Sequence, residues 1–397
     1  MQLPDFAKNY LLLGLRIGKL IDKYVDSYSG PPELRQMVEE ERNSPKTLLQ
    51  QCRSLEHKVK DQGFGKSRER HLERMLLSMK TSLQILNGES IPYLKQVRAL
   101  LDIEPVFIDN TTLFKLIDEL NDLYQGKGSI YDRASRVWKE RGIPKEQILE
   151  TFTLAMQIVQ DKTYELFPDL LPEAENVVIG GTVDSNYVVY CWYLGNFKSK
   201  IEVNMKLDNI ITWHNLLLYA SHEGYPGHHV QLTVRDKVLY QEQGQFEHSI
   251  LLLNTPQLVI IEGIANISLN ALYSIKEQEK LALKSFCPNP SEHDIEFLIK
   301  EREVWQKIFA YNTNLAIHAH VDGWEDDQLL QFLLELDLFP EDFCRQCIKV
   351  IQNPITSIYP FISYEGKRLI QNKFGVHPSI KDFRMLLTQP ILPSDLL

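Results

Sequence analysis

Apolar residues recur at helical spacing along most of this chain. From Pro4-Asp5, the positions Leu13, Ile17, Leu20, Ile21, Tyr24 and Val25 keep one face apolar until Gly30-Pro31-Pro32, which predicts a first helix of about that extent. Further periodic stretches cover roughly 33–60, 67–87 and 91–102. Thr111 and Thr112 are placed to cap a helix over 113–124 that Gly126 and Gly128 break, and Pro144-Lys145-Glu146 opens another ending near Phe167-Pro168. The pattern changes between about 176 and 206. Val177-Val178-Ile179, Tyr187-Val188-Val189-Tyr190 and Ile201-x-Val203-x-Met205 read as strands, punctuated by Gly180-Gly181 and Gly195-Asn196. The last strand leads into a helix through Leu216, Leu217 and Ala220, with Asp208 placed as its cap. A strand there is suited to holding an extended substrate by backbone pairing. Helical spacing then resumes to about residue 372. The expected fold is mainly α and multi-helical, with one small antiparallel β-sheet beside a cleft. Residues 1–170 are expected to form a helical region packing on a second region, 171–397.

A chain of 397 residues is long enough to bury a large core. Charged residues make up 24% and hydrophobic ones 44%, as in ordinary soluble proteins, and the balance 43 − 53 = −10 argues against nucleic acid as a partner. No apolar stretch approaches membrane-spanning length. Asp5 ahead of the short run Leu11-Leu12-Leu13, with Arg16 and Lys19 behind it, does not resemble an export signal. The five scattered cysteines suit the cytoplasm. Cys344-x-x-Cys347 has no second pair to complete a zinc ribbon, so it reads as two core-facing residues of one helix. The basic stretch from Lys58 to Arg74, interrupted by Asp61, Glu69 and Glu73, reads as a solvated helix face.

The chemistry concentrates in one octapeptide, His222-Glu223-Gly224-Tyr225-Pro226-Gly227-His228-His229. Imidazoles bind zinc, and a carboxylate beside a ligand can take a proton from a metal-activated water. Glu262 supplies a third kind of ligand from a segment otherwise suited to a buried helix. On a straight helix His222 and His228 would be rotated by about 600°, facing different sides, while His229 would lie about 10 Å along the axis. Pro226 has no amide hydrogen to continue the helix and Gly227 permits unusual backbone angles. The helix is therefore expected to stop or bulge near Tyr225, with the chain folding back to bring His228 to the metal. His229 is the weaker candidate.

The octapeptide with Val230-Gln231 resembles the H-E-x-x-P-G-H-H-x-Q signature of the zincin-like bacterial family labelled domain of unknown function 885. Tyr193-Leu194-Gly195 and Ser199-Lys200-Ile201-Glu202-Val203-Asn204 resemble the segment leading into that motif. Glu262-Gly263-Ile264-Ala265 resembles the family's E-G-W-A element, and His318-Ala319-His320-Val321-Asp322-Gly323-Trp324 its H-x-x-x-G-W element with one extra residue. The resemblance spans roughly residues 140 to 370. It implies a gluzincin-like metallopeptidase fold, one zinc per chain on His222, His228 and Glu262, and Glu223 as general base. Departures are Ile264 for the tryptophan, Ile267 for a tyrosine, Asn314 for an aspartate, and no P-G-Q-A element at Pro354-Ile355-Thr356-Ser357.

The function expected is hydrolysis of a peptide or small peptide-like amide. The alternatives are a non-peptide amide or ester hydrolase and a non-catalytic metal-binding scaffold. His318, on the family-like stretch, and then Tyr364 are candidates to donate to a developing oxyanion. Asn204 is a candidate to grip substrate backbone. Asn266 is expected to make an ordinary polar contact and His214 to be structural.

Overall fold

The computed structural model describes residues 3–183, 187–206, 211–290 and 295–397. The mainly α expectation holds, and the elements run as follows. Helix α1 (Asp5–Gly18) is followed by strand β1 (Val25–Tyr28), α2 (Pro32–Glu39), α3 (Pro45–Lys58), α4 (Lys66–Leu86), α5 (Tyr93–Leu101), α6 (Asn110–Leu123), α7 (Ile130–Glu140) and α8 (Ile148–Leu166). Strands β2 (Asn176–Thr182), β3 (Val189–Gly195) and β4 (Lys198–Asn204) precede α9 (Leu216–Glu223), α10 (His228–Val234), β5 (Ile250–Leu252) and α11 (Pro256–Leu272). The chain ends with α12 (Ile275–Phe286), α13 (Ile295–Ile308), α14 (Tyr311–His320), α15 (Asp326–Glu335), α16 (Glu341–Gln352), α17 (Tyr359–Phe374) and α18 (Ile380–Thr388). No single helix among the described residues is long and apolar enough to cross a membrane.

Several boundaries move for identifiable reasons. The first helix stops at Gly18, well before Val25: Lys23 takes a left-handed φ of 58°, and the chain emerges as β1. β1 pairs antiparallel with β5, Tyr28 opposite Ile250 and Val25 opposite Leu252. A periodic apolar run had concealed a β-branched strand start. The cap of α6 is Asp109, which accepts from the Thr112 backbone, because an Asp carboxylate reaches the third amide as well as a threonine hydroxyl does. Asp208, the expected cap before α9, lies outside the described residues.

The sheet beside α9 has the order β2-β4-β3, with β2 parallel to β4 and β3 antiparallel to it. It is mixed rather than wholly antiparallel, and β1 with β5 forms a second, antiparallel pair. β4, expected to offer its backbone to substrate, is the central strand with partners on both sides. Its buried residues Ser199, Ile201 and Val203 face the main core instead.

Buried side chains form two clusters. One joins α1 to α4 with Phe246, Ile250 and Leu252; the other, from Tyr93 to Leu396, takes in most of the remaining helices, including α5 to α8 and the motif helices. Apolar packing thus groups α1 to α4 with the segment around β5. The basic stretch of α4 is not merely solvated. Lys60 and Lys66 are exposed, but Arg68, Arg70 and Arg74 pair with Glu247, Asp395 and Asp102, tying the helix to distant segments. Cys344 and Cys347 are free thiols on α16, the first buried and the second half-buried.

Candidate metal centre

α9 ends at Glu223, and the octapeptide turns the chain beneath it. The backbone amides of Gly224 and Tyr225 both donate to the Ala220 carbonyl, and Gly227 N–H donates to Ser221 O at 2.9 Å. The Tyr225–Pro226 peptide is cis. Gly227 passes so close to α9 that a Cβ there would sit 2.0 Å from His222 O and 2.2 Å from Ser221 O. Only glycine fits this approach. α10 then starts at His228, so a six-residue spacing that a straight helix would scatter becomes a convergence.

α11 packs across α9 and delivers Glu262. Ligand atoms of His222, His228 and Glu262 all lie within 4.8 Å of one another. His228 Nε2 is 3.4 Å from Glu262 Oε1, and His222 Nε2 is 3.8 Å from Glu262 Oε2. The imidazoles meet edge to face, centroids 4.7 Å apart. Zinc bonds of about 2.0–2.1 Å place tetrahedral ligands about 3.3 Å apart, so this two-nitrogen, one-oxygen set fits a catalytic zinc with small adjustments.

Electrostatics fit the same use. Burial disfavours charge on His228, but the carboxylates of Glu262, Glu223 and Asp26 outweigh it and raise the imidazole to about 9. Burial opposes ionisation of Glu262, yet His228 holds it down to about 2. The pair is thus an ion pair whose proton a metal cation would replace. Burial and the neighbouring His228 lower His222 to about 4, leaving a neutral imidazole. Glu223 is buried, accepts from the Cys191 backbone amide, and lies 3.9 Å from His222 Nε2. Burial, joined by Glu262, lifts its carboxyl to about 8.

His229 points elsewhere. Its Nδ1 meets Ser199 Oγ at 2.8 Å and its Nε2 meets Glu175 Oε2 at 2.7 Å, while the hydroxyls of Tyr225 and Tyr164 also donate to Glu175. Both ring nitrogens are occupied in bracing the turn against β4.

The remaining expected residues are not part of this three-ligand cluster. Asn204 is buried, its amide donating to Tyr187 O and accepting from Lys206 N, so it closes the end of β4. His318 stacks on Trp324 with centroids 3.7 Å apart and pairs through Nδ1 with Asp322, its other nitrogen buried without a hydrogen-bond partner. Tyr364 lines a separate cavity of about 400 Å³ with Arg302 and Lys367. Asn266 donates to Ser363 across α11 and α17, and His214 is buried.

Two residues near the cluster lie outside the sequence motifs. Asp26, from β1, bonds to the Tyr190 hydroxyl of β3 and is electrostatically coupled to His228, Glu262 and Glu223. Tyr359, at the start of α17, has its phenol pushed up by loss of solvent around the hydroxyl and by Glu262, Asp26 and Glu223. It therefore keeps its proton at neutral pH. Asp26 was hidden inside a helix-like run, and Tyr359 lies just past Pro354-Ile355-Thr356-Ser357, which carries no recognisable motif.

No protein-family model and no curated protein matches this chain. The crystal structure of the putative lipoprotein from Colwellia psychrerythraea is similar, with a TM-score of 0.51 and 14% identity over 89% of this chain. The present chain spans 66% of that protein's length. The structure of a putative lipoprotein of unknown function from Shewanella oneidensis has a TM-score of 0.44 and 12% identity, covering 87% of this chain and 73% of its own. The first likeness is one of fold alone.

Proposed function

We propose that this protein is a zinc-dependent hydrolase of peptide or peptide-like amide bonds, of the zincin-like kind its octapeptide resembles. The observation that carries the reading is the convergence of His222, His228 and Glu262 with a buried carboxylate, Glu223, at its edge. A divalent metal held by those three side chains supplies Lewis acidity to a water and to a substrate carbonyl. Glu223 accepts the proton of the attacking water and returns it to the leaving amine. Burial raises the Glu223 carboxyl in the metal-free site, and a cation held beside it would favour the carboxylate form that a general base needs. Tyr359, protonated and beside the same carboxylates, is the donor suited to the developing oxyanion, in preference to Tyr364 or His318.

Metal analysis of purified protein tests the reading. About one zinc per chain is expected in the wild type, lost in His222→Ala and Glu262→Ala. Glu223→Gln is expected to keep zinc while cleaving peptides on the order of 100-fold or more slowly. Full activity in Glu223→Gln would overturn the general-base role. Zinc without turnover on any amide or ester would leave the scaffold alternative.

A further inference from the structure

The cavity of about 400 Å³ that Tyr364 lines lies among α11, α13 and α17, and none of the three clustered ligands belongs to its wall. Asn270, which does, follows Glu262 by eight residues on α11, about 12 Å along the helix axis. For a chain of net charge −10 this wall is unusually basic. Arg302, Lys307, Lys367 and Arg368 line it with a single carboxylate, Glu303.

Three of these cations are offset. Arg368 is held by Glu365 at 2.6 Å, Arg302 lies 2.6 Å from Glu279, and Glu303 sits one helical turn before Lys307. Lys367 is left over. Its ammonium donates to the neutral Gln306 Oε1 at 2.6 Å and makes no ion pair among the described residues. Loss of surrounding water, joined by the positive charge of Arg302, lowers it to about 8. Arg302 carries a second mark: its side chain is only 10% exposed, yet its Nε has no hydrogen-bond partner, an uncommon state for a buried polar group. An ammonium beside another cation and short of a carboxylate is complementary to an anion brought from outside. Tyr364, Gln371 and Asn372 add neutral polar groups to the same space, whose volume suits a small molecule rather than a bare ion.

We propose that this cavity binds a small molecule through an oxyanion group, a phosphate ester or a carboxylate, with Lys367 as the residue that meets the anion. The site is separate from the metal centre and does not depend on the hydrolase reading. If Lys367 served only to tie α17 to α13 through Gln306, changing it would alter stability and leave anion binding untouched, which separates the two roles.

The test is calorimetric titration of the full chain, with zinc supplied, using glycerol 3-phosphate and N-acetyl-Ala-Ala. Each is compared with its neutral counterpart, glycerol and N-acetyl-Ala-Ala amide. One anion or both should bind about 10-fold or more tightly than the counterpart, and whichever does so identifies the group. Lys367→Met should bring that ratio close to one, and Lys367→Arg should keep part of it. Gln306→Glu, which sets a carboxylate against Lys367 from an exposed position, should also weaken binding. Because zinc itself attracts oxyanions, the titration is repeated on His222→Ala, where the preference should persist. Circular dichroism establishes that each variant is folded. Binding of neither anion, equal affinity for anion and counterpart, a preference that survives both Lys367→Met and Gln306→Glu, or one lost in His222→Ala would overturn the proposal.

Discussion

At the residue scale, the adjacent histidines of the octapeptide have divergent duties. His228 faces Glu262 at 3.4 Å, while His229 has both nitrogens committed to Ser199 and Glu175. His228→Ala should therefore abolish zinc binding in a competition assay with a chromogenic chelator. His229→Gln should retain it with affinity lowered about 10-fold, as expected when a group bracing a ligand is lost. Equal loss in both variants would return His229 to the ligand set. Tyr359→Phe should lower kcat about 100-fold with little change in KM, the signature of a donor used only in the transition state; an unchanged kcat would remove Tyr359 from that role. The three clustered side chains were legible because their chemistry is local, a dense motif plus one carboxylate in an apolar helix. Asp26 and Tyr359 were not, because they reach the centre only through pairing and packing between segments distant in sequence.

At the element scale, two close backbone approaches set the geometry. Gly227 runs against the carbonyls of Ser221 and His222, and Gly366 of α17 crosses α11 so closely that a Cβ would lie 2.1 Å from Val259 O. The second crossing, beside Gly263, also sets the start of α17, and hence Tyr359, relative to Glu262. A methyl at either place meets backbone, which cannot swing aside as a side chain can. Gly227→Ala should remove stoichiometric zinc, and Gly366→Ala should cost about 1–3 kcal/mol in urea unfolding. Gly323→Ala is the control: nothing lies within 4 Å, but φ is +71°, so roughly 1 kcal/mol is expected from backbone strain alone. Gly366→Ala no more costly than Gly323→Ala would mean that the crossing is looser than the structure has it. Helical periodicity located most helices, since it samples burial on one face. It missed β1, because a short strand beginning with valine continues a helical apolar pattern without a break.

At the scale of the whole molecule, the two apolar cores meet at a polar seam. Arg68 of α4 pairs with Glu247, Arg235 donates to His248 at 2.7 Å, and His71 lies against His248 with centroids 4.9 Å apart. His71 is 1% exposed and neither ring nitrogen has a hydrogen-bond partner. Burial, reinforced by Arg235 and Arg68, drives it down to about 3, and the same causes with His71 push His248 well below its ordinary value. Both histidines are thus neutral when folded, whereas in the unfolded chain they titrate near 6.5. Above that pH neither state binds the proton and their contribution to stability is complete. As pH falls below about 6.5 the unfolded chain takes up protons that the folded one refuses, so stability declines. For His71 alone the decline reaches about 2 kcal/mol by pH 5. Urea midpoints should therefore drop between pH 7 and pH 5, and His71→Leu should flatten that drop; an equally steep decline in the variant would place the acid sensitivity elsewhere. Because the seam adjoins β5, and β5 holds β1, the same acid loosening should draw Asp26 away from the candidate metal centre before the main core unfolds.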